Sequence, residues 1–271
     1  MPSIFGQEHD RSLVMGVVNV TPDSFSDGGR FFDPQVAIEA GLRMRDEGAD
    51  LIDVGGESTR PGAAPVSSQQ ELDRVAPVIE RLAHEIEIPL SVDTSKPEVA
   101  RECLRLGARV VNDVTGFELE EMRRLTAEAG AAAVIMHMRG RPQTMQRDTY
   151  YEDLIGEVRD FLAERAWLTA EAGVAEIAVD PGLGFGKSAA QNFVLLRRLR
   201  EFSSLGRPLL VGPSRKSFLG SLRSRLPRDQ RLEGTIAAVC VAVVEGAKIV
   251  RVHDVAAVKR AVEVVDAVRI A

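Results

Sequence analysis

The chain alternates. Eight short apolar, β-branched runs, each followed by a helical pattern, occupy residues 13–18, 51–54, 88–92, 109–112, 132–136, 176–179, 208–211 and 248–252. Near-continuous apolar runs of this length mark strands buried on both faces, and therefore parallel strands covered by helices. Helices are expected at 34–47, 69–85, 97–106, 119–129, 151–172, 189–201, 231–244 and 255–268. Pro34 stands at a first-turn position, and Gly48, Gly107, Gly130, Gly173 and Gly246 follow helix ends, where a left-handed residue turns the chain into the next strand. Eight strand–helix units in 271 residues predict an α/β fold, a (β/α)8 TIM barrel forming a single domain over residues 1–271. An open doubly wound sheet is the competing arrangement, but eight units of similar length close more naturally. No Pro/Ser-rich linker or composition shift divides the chain.

The two kinds of connection differ. Turns from helix to strand are brief, whereas loops after strands are long and polar, at 21–32, 55–68, 138–150, 180–188 and 213–220. Loops that carry function gather on the rim at the carboxyl ends of barrel strands. The first strand sets the plan: its apolar run ends at Asn19 and turns at once into Thr21-Pro22-Asp23-Ser24.

Polar residues stand at nearly every strand end: Asn19, Asp53, Asp93, Asn112, Asp113, His137, Asp180, Arg251 and His253. The seventh strand runs instead into Ser214-Arg215-Lys216-Ser217. One such residue could be a structural cap, but seven strand ends of this kind argue for a site. Buried amides and carboxylates need partners. Asp93, Asn112 and Asp180 offer acceptors, with Asn112 also a donor, and this suits a flat heterocycle with adjacent N–H and amino groups.

Residues 180–188, Asp-Pro-Gly-Leu-Gly-Phe-Gly-Lys-Ser, nearly match a phosphate-binding loop, but Pro181 replaces the first glycine and Lys187 spoils the dinucleotide pattern. The glycines permit close backbone approach, and Phe185, expected to be exposed, offers a face to an aromatic ligand. Arg251 and His253, two apart on a strand, share a face. With Asn19 they form a candidate clamp for an anion such as pyrophosphate, Asn19 being a hard oxygen donor suited to Mg2+. Arg60 and Lys216 add positive charge, while Met138 is a candidate pocket wall.

Composition narrows the partners. The net charge of -6 implies no broad basic surface, against nucleic-acid binding. The longest apolar stretch, 236–244, is well short of the roughly 20 residues that span a bilayer, so no membrane partner is expected. Cys103 and Cys240 read as reduced thiols, and the start MPSIFGQEHD lacks a signal-peptide pattern. A cytoplasmic location is expected. Trp167, His9 and His84 read as packing or surface residues.

Together the stretches MGVVNVTPDSFSDGG, DVGGESTRPGA, SVDTSKPEV, NDVTG, MHMRGRPQTMQ, DPGLGFGK, GPSRKSFLG, GTIAA and RVHDV, spread over nearly the whole chain, resemble the dihydropteroate synthase family. Arg139 is the one departure, where the family more often has a neutral residue. The resemblance implies transfer of a dihydropterin-methyl group from 6-hydroxymethyl-7,8-dihydropterin diphosphate to 4-aminobenzoate, with Mg2+ as cofactor and a homodimer as the assembly. By this resemblance Asp93, Asn112, Asp180, Lys216 and Met138 bind the pterin. Thr59, Arg60, Pro61, Phe185 and Ser217 shape the aminobenzoate site, with the loops at 23–29 and 56–65 closing over it. Asn19, Arg251 and His253 hold the diphosphate, with Asn19 on the metal. Lys216, Arg251, His253 and Asp93 are the expected catalytic residues. Two other readings stay open. A corrinoid-dependent methyltransferase would need the Asp/Asn set but not Arg251, His253 or the ESTRP loop. A non-catalytic pterin-binding relative could lose Asn19 or the cation pair, yet here all are present.

Overall fold

A computed structural model of the chain describes residues 5, 11–21, 34–222 and 226–271. The expected closing loop at 23–29, and His9, lie outside the described residues. Eight parallel strands form one sheet in the order β6-β5-β4-β3-β2-β1-β8-β7. They are β1 Leu13–Asn19, β2 Leu51–Gly55, β3 Leu90–Asp93, β4 Val110–Asp113, β5 Ala132–Met136, β6 Ile177–Asp180, β7 Leu210–Val211 and β8 Ile249–Val252. The sheet curls until β6 meets the approach to β7, through a parallel bridge between Val179 and Leu209 and the bond from Val179 N to Pro208 O at 2.9 Å. That seam closes the barrel expected from the alternation.

The helices are α1 Pro34–Asp46, α2 Ser68–Glu85, α3 Pro97–Arg105, α4 Glu120–Glu128, α5 Leu154–Glu171, α6 Ala189–Arg197, α7 Leu232–Val244 and α8 Val255–Ile270. Three expectations shift. The sixth helix stops at Arg197 and continues as a 3-10 segment, Leu199–Leu205, that ends on left-handed Gly206. The fifth starts at Leu154 because the Asp153 side chain accepts from Gly156 N. The seventh strand has only two residues in regular pairing.

Two apolar cores follow from the alternation of side chains along a strand. Residues that point outward, such as Val14, Ile52, Val92, Val111 and Val250, pack under the helices. Those that point inward, including Leu13, Met15, Leu51, Val110, Ala132, Val134, Ala178, Leu210 and Ile249, form a separate cluster that fills the barrel. Two residues further along several of these inward series stand Asp53, Asn112, Asp180 and Arg251. The filling therefore changes from hydrocarbon to charge at the carboxyl-end rim.

Candidate active site

Arg251 lies at the centre of the rim. Its Nε donates to Asp53 Oδ2 at 2.6 Å and its Nη2 to Asp93 Oδ2 at 2.7 Å. Strand pairing explains the convergence. Gly55 is in register with Asp93, and Asp93 with Asn112, so β2, β3 and β4 present their last inward residues side by side. Asn112 Nδ2 donates to Asp53 Oδ2 at 3.1 Å. Asp180 enters from β6, its Oδ1 accepting from Gly182 N at 2.7 Å. Burial pushes the Asp93 and Asp180 carboxyls up, against the pull of Arg251 on the first and Lys216 on the second.

Lys216 follows β7. Its Nζ donates to Leu183 O and lies 4.4 Å from the centroid of the Phe185 ring. Burial pushes its ammonium down to about 8, although Asp180 and Asp93 favour the charge. Phe185 is half-buried, not exposed as its loop position suggests, because Lys216 covers its face. Gly184 makes room for this: a Cβ there would meet Lys216 Cδ at 2.9 Å, at φ +83°. Gly182 is tighter still, since a Cβ would stand 1.9 Å from His137 O. The glycines thus let the loop lie against the chain after β5. Lys187 is no phosphate ligand. It is buried, with Nζ 2.9 Å from His137 Nδ1 and donating to the carbonyls of Gly182 and Phe185 at 3.1 and 2.9 Å.

His253 corrects the sequence reading. Arg228 Nη2 lies 3.1 Å from its Nε2, and Asn19 Nδ2 lies 3.2 Å from the same atom. A guanidinium only donates, so Nε2 accepts and the proton sits on Nδ1, which donates to Ser214 Oγ at 2.9 Å. Burial first, then the charges of Arg228, Arg251, Arg215 and Arg60, push this imidazole down to about 3. His253 is therefore neutral, and the pair expected from Arg251 and His253 is one cation and one neutral ring. Arg228 supplies the second charge. It follows residues 223–225, far from any strand end, and nothing in the strand-end pattern pointed to it. Because Nδ2 of Asn19 faces the ring, its Oδ1 is the atom left for a ligand.

The remaining predicted residues divide. Thr59 and Met138 line a cavity of about 550 Å3 together with Asp93, Val114, Glu57 and Arg165. The cavity runs outward between the loops, and Asn112, Asp180, Lys216 and Arg251 do not line it. It meets the polar cluster at Asp93. Arg60 and Pro61 are exposed beside it, and Ser217 is exposed after Lys216. Arg60 reaches the cation side, since its charge depresses both Arg228 and His253. Two strand-end residues stay out of the site. Asp113 accepts from Thr115 N and Oγ and from Phe117 N, fixing its own turn. His137 packs edge-on to Phe161 and, buried beside Lys187, is pushed down to about 2. The charge of Arg139 is met by Glu157 at 2.7 Å and by the Tyr151 ring 4.1 Å away. Cys103 is buried and Cys240 half-buried, both free.

The sequence reading also missed a clasp under the 56–65 loop. Lys96 Nζ donates to Glu57 Oε2 and to the buried Glu71 Oε2, both at 2.5 Å, tying the loop after β2 to α2 and to the start of α3.

Known proteins resemble this chain in sequence and in fold. Residues 15–253 match the family model described as pterin binding enzyme. A relative from Synechocystis named dihydropteroate synthase is 49% identical over 260 residues, covering 95% of this chain and 90% of its own length. Among solved structures, dihydropteroate synthase from Xanthomonas albilineans with 4-aminobenzoic acid superposes with a TM-score of 0.91 at 46% identity, covering 97% of this chain and 94% of its own. A structure of the Xanthomonas albilineans enzyme in complex with 7,8-dihydropteroate gives a TM-score of 0.87 at 44% identity, covering 97% and 95%.

Proposed function

The chain belongs to the pterin binding enzyme family, and on that premise we propose that it catalyses the dihydropteroate synthase reaction. It is a transferase of folate biosynthesis that joins 6-hydroxymethyl-7,8-dihydropterin diphosphate to 4-aminobenzoate and releases pyrophosphate. The observation that carries the reading is the meeting of Asp93, Asn112 and Asp180 with Arg251, Lys216 and Arg228 on one rim. The alternatives fare worse. A methyltransferase has no use for the cations, and a binding relative has no need to keep both sets.

Each residue has a task in this reading. Asp93, Asn112, Asp180, Lys216 and Met138 grip the pterin. The C–O bond between the pterin methylene and the diphosphate breaks, the arylamine nitrogen bonds to the methylene, and one amine proton is lost. Positive charge grows on the pterin as the diphosphate departs, and Asp93 and Asp180 favour it. Arg251 keeps Nη1 free of acceptors among the described residues, and Arg228 and Arg60 stand nearby for the departing anion. Preorganised charge of this kind is often the largest catalytic contribution. The neutral arylamine needs no strong base. Thr59, Arg60, Pro61, Phe185 and Ser217 shape the aminobenzoate site.

Mg2+ fits as a metal bound largely through substrate. Among the described residues no group of three or more His, Cys, Asp or Glu side chains could hold it. Asn19 offers one hard oxygen, and Mg2+ takes one or two protein ligands beside phosphate oxygens. When bound it offsets charge on the leaving diphosphate. Arg251 would hold that diphosphate with Arg228 beside it, Asn19 would reach it through the metal, and the neutral His253 ring, engaged by Ser214, Arg228 and Asn19, would orient those groups.

A homodimer is supported by exposed valines: Val241 and Val244 share a face of α7, Val264 and Val268 a face of α8, and these helices are neighbours. We take residues 1–271 as one domain. No helix among the described residues is long and apolar enough to cross a membrane. The free cysteines support a reducing, cytoplasmic setting. The test is pyrophosphate release with both substrates, with each omitted, and with and without Mg2+. Release that requires both substrates and the metal is expected, and release without 4-aminobenzoate at the same rate would refute the reading.

A further inference from the structure

Asp53 has no part in the scheme above, yet it is the most buried acid of the rim. Its Oδ2 accepts from both Asn112 and Arg251, while its Oδ1 is sealed with no donor among the described residues. A sealed carboxylate oxygen without a donor is costly, so fold stability alone does not explain an acid here.

Asp53 Oδ2 already takes the Arg251 Nε–H, so it faces Asn112 as an acceptor. Facing Asp53, the Asn112 amide therefore has one workable orientation, with Nδ2 toward the acid and Oδ1 turned away. Among the described residues nothing donates to that Oδ1. The same holds for its neighbours. Arg251 occupies Asp93 Oδ2 and leaves Oδ1, and Gly182 N occupies Asp180 Oδ1 and leaves Oδ2. None of these three remaining oxygens is sealed as Asp53 Oδ1 is.

We propose that Asp53 is a positioning residue that sets the hydrogen-bonding sense of the pterin site. By fixing the Asn112 amide it makes the Asp93–Asn112–Asp180 set an array of acceptors. The site then reads the amino and N3–H donors of the ligand edge, and an oxo group in place of the 2-amino group sets a lone pair against an acceptor it cannot pair with. This assignment rests on the pterin reading given above.

The test compares two ligands by titration calorimetry on the full chain: 6-hydroxymethylpterin and its lumazine counterpart, in which the 2-amino donor becomes a carbonyl acceptor and N1 gains a proton. Wild type is expected to prefer the pterin by at least about tenfold. In Asp53→Asn the amide at position 53 can donate to Asn112, which is then free to turn its own N–H to the ligand, and the preference is expected to fall to within about threefold of unity. The double variant Asp53→Asn/Asn112→Asp exchanges the two roles, and the preference is expected to return. The ratio is read on folded protein, so partial unfolding does not imitate the effect. If the double variant does not fold, the Asp53→Asn ratio decides alone. Full preference in Asp53→Asn, or a folded double variant without recovery, overturns the proposal. A wild type that shows no preference refutes the pterin reading instead.

Discussion

The two poles of the barrel use the same residue types to opposite ends. At the amino-end pole, Asp50 accepts from Arg11 through both oxygens, at 2.6 and 2.9 Å, from Val14 N at 2.8 Å and from Lys259 at 3.0 Å. Despite burial, these donors hold its carboxyl below the ordinary range. Asp266 is likewise met by Ser12 N and Oγ at 2.7 and 2.9 Å. At the carboxyl-end rim one guanidinium serves Asp53 and Asp93, a buried oxygen goes without a donor among the described residues, and the half-buried Lys216 and buried Lys187 lie against carbonyls. Satisfied charge fastens the chain. Under-satisfied charge keeps its capacity for a ligand, at a cost in stability that functional sites commonly carry.

Substitutions at the two poles should therefore separate stability from activity. Arg251→Ala is expected to lower kcat/KM of the folded protein by about 2–4 kcal/mol of transition-state stabilisation, as for loss of one preorganised donor. Arg251→Lys keeps a charge but not the fork, so it should recover melting temperature more than rate. Near-normal turnover in either would count against Arg251 as a catalytic group. At the other pole, Asp50→Ala leaves Arg11 and Lys259 without their carboxylate. A loss of about 2–3 kcal/mol in denaturant unfolding is expected, reduced from the fully buried case because Arg11 is partly exposed. Its kcat/KM per folded molecule should match wild type.

A pH series sharpens the contrast. The folded His253 refuses a proton down to about pH 3, while in the unfolded chain it titrates near its ordinary 6.5. Between those values the unfolded state binds the extra proton, so this group makes stability fall as pH falls through the window. His253→Gln should reduce the slope of unfolding free energy against pH there by close to one proton. An unchanged slope would mean that the imidazole is not held neutral. The smallest effect belongs outside both poles. Trp167 lies 61% exposed on α5, and Trp167→Ala should stay within about 0.5 kcal/mol of wild type in chemical denaturation, with activity unchanged.

The barrel was legible because its cause is local. Strand runs, helix starts and terminal glycines are written in consecutive residues, and positive φ at Gly107 and Gly246 meets the expectation for chain reversal. Inward alternation also carried Asp93, Asn112, Asp180 and Arg251 to one rim. Pairing was not legible. Which carboxylate takes Arg251 depends on register between strands 198 and 158 residues apart in sequence. The neutrality of His253 depends first on its burial and then on Arg228, which comes from outside the strand-end pattern. Lys187 sits where a phosphate ligand would, yet its loop folds it inward onto carbonyls. Chemistry at a residue is visible in its type, but its protonation and orientation are set by neighbours distant in sequence.

The contrast between poles can be put to one measurement: calorimetric titration of 6-hydroxymethyl-7,8-dihydropterin diphosphate, with Mg2+, into wild type, Asp93→Asn and Asp50→Asn. Binding should weaken by at least about tenfold in Asp93→Asn, as expected for a charge-assisted partner lost from the site, and stay unchanged in Asp50→Asn even as its melting temperature falls. Wild-type affinity in Asp93→Asn, or an equal loss in both variants, would contradict the division of labour between rim and floor.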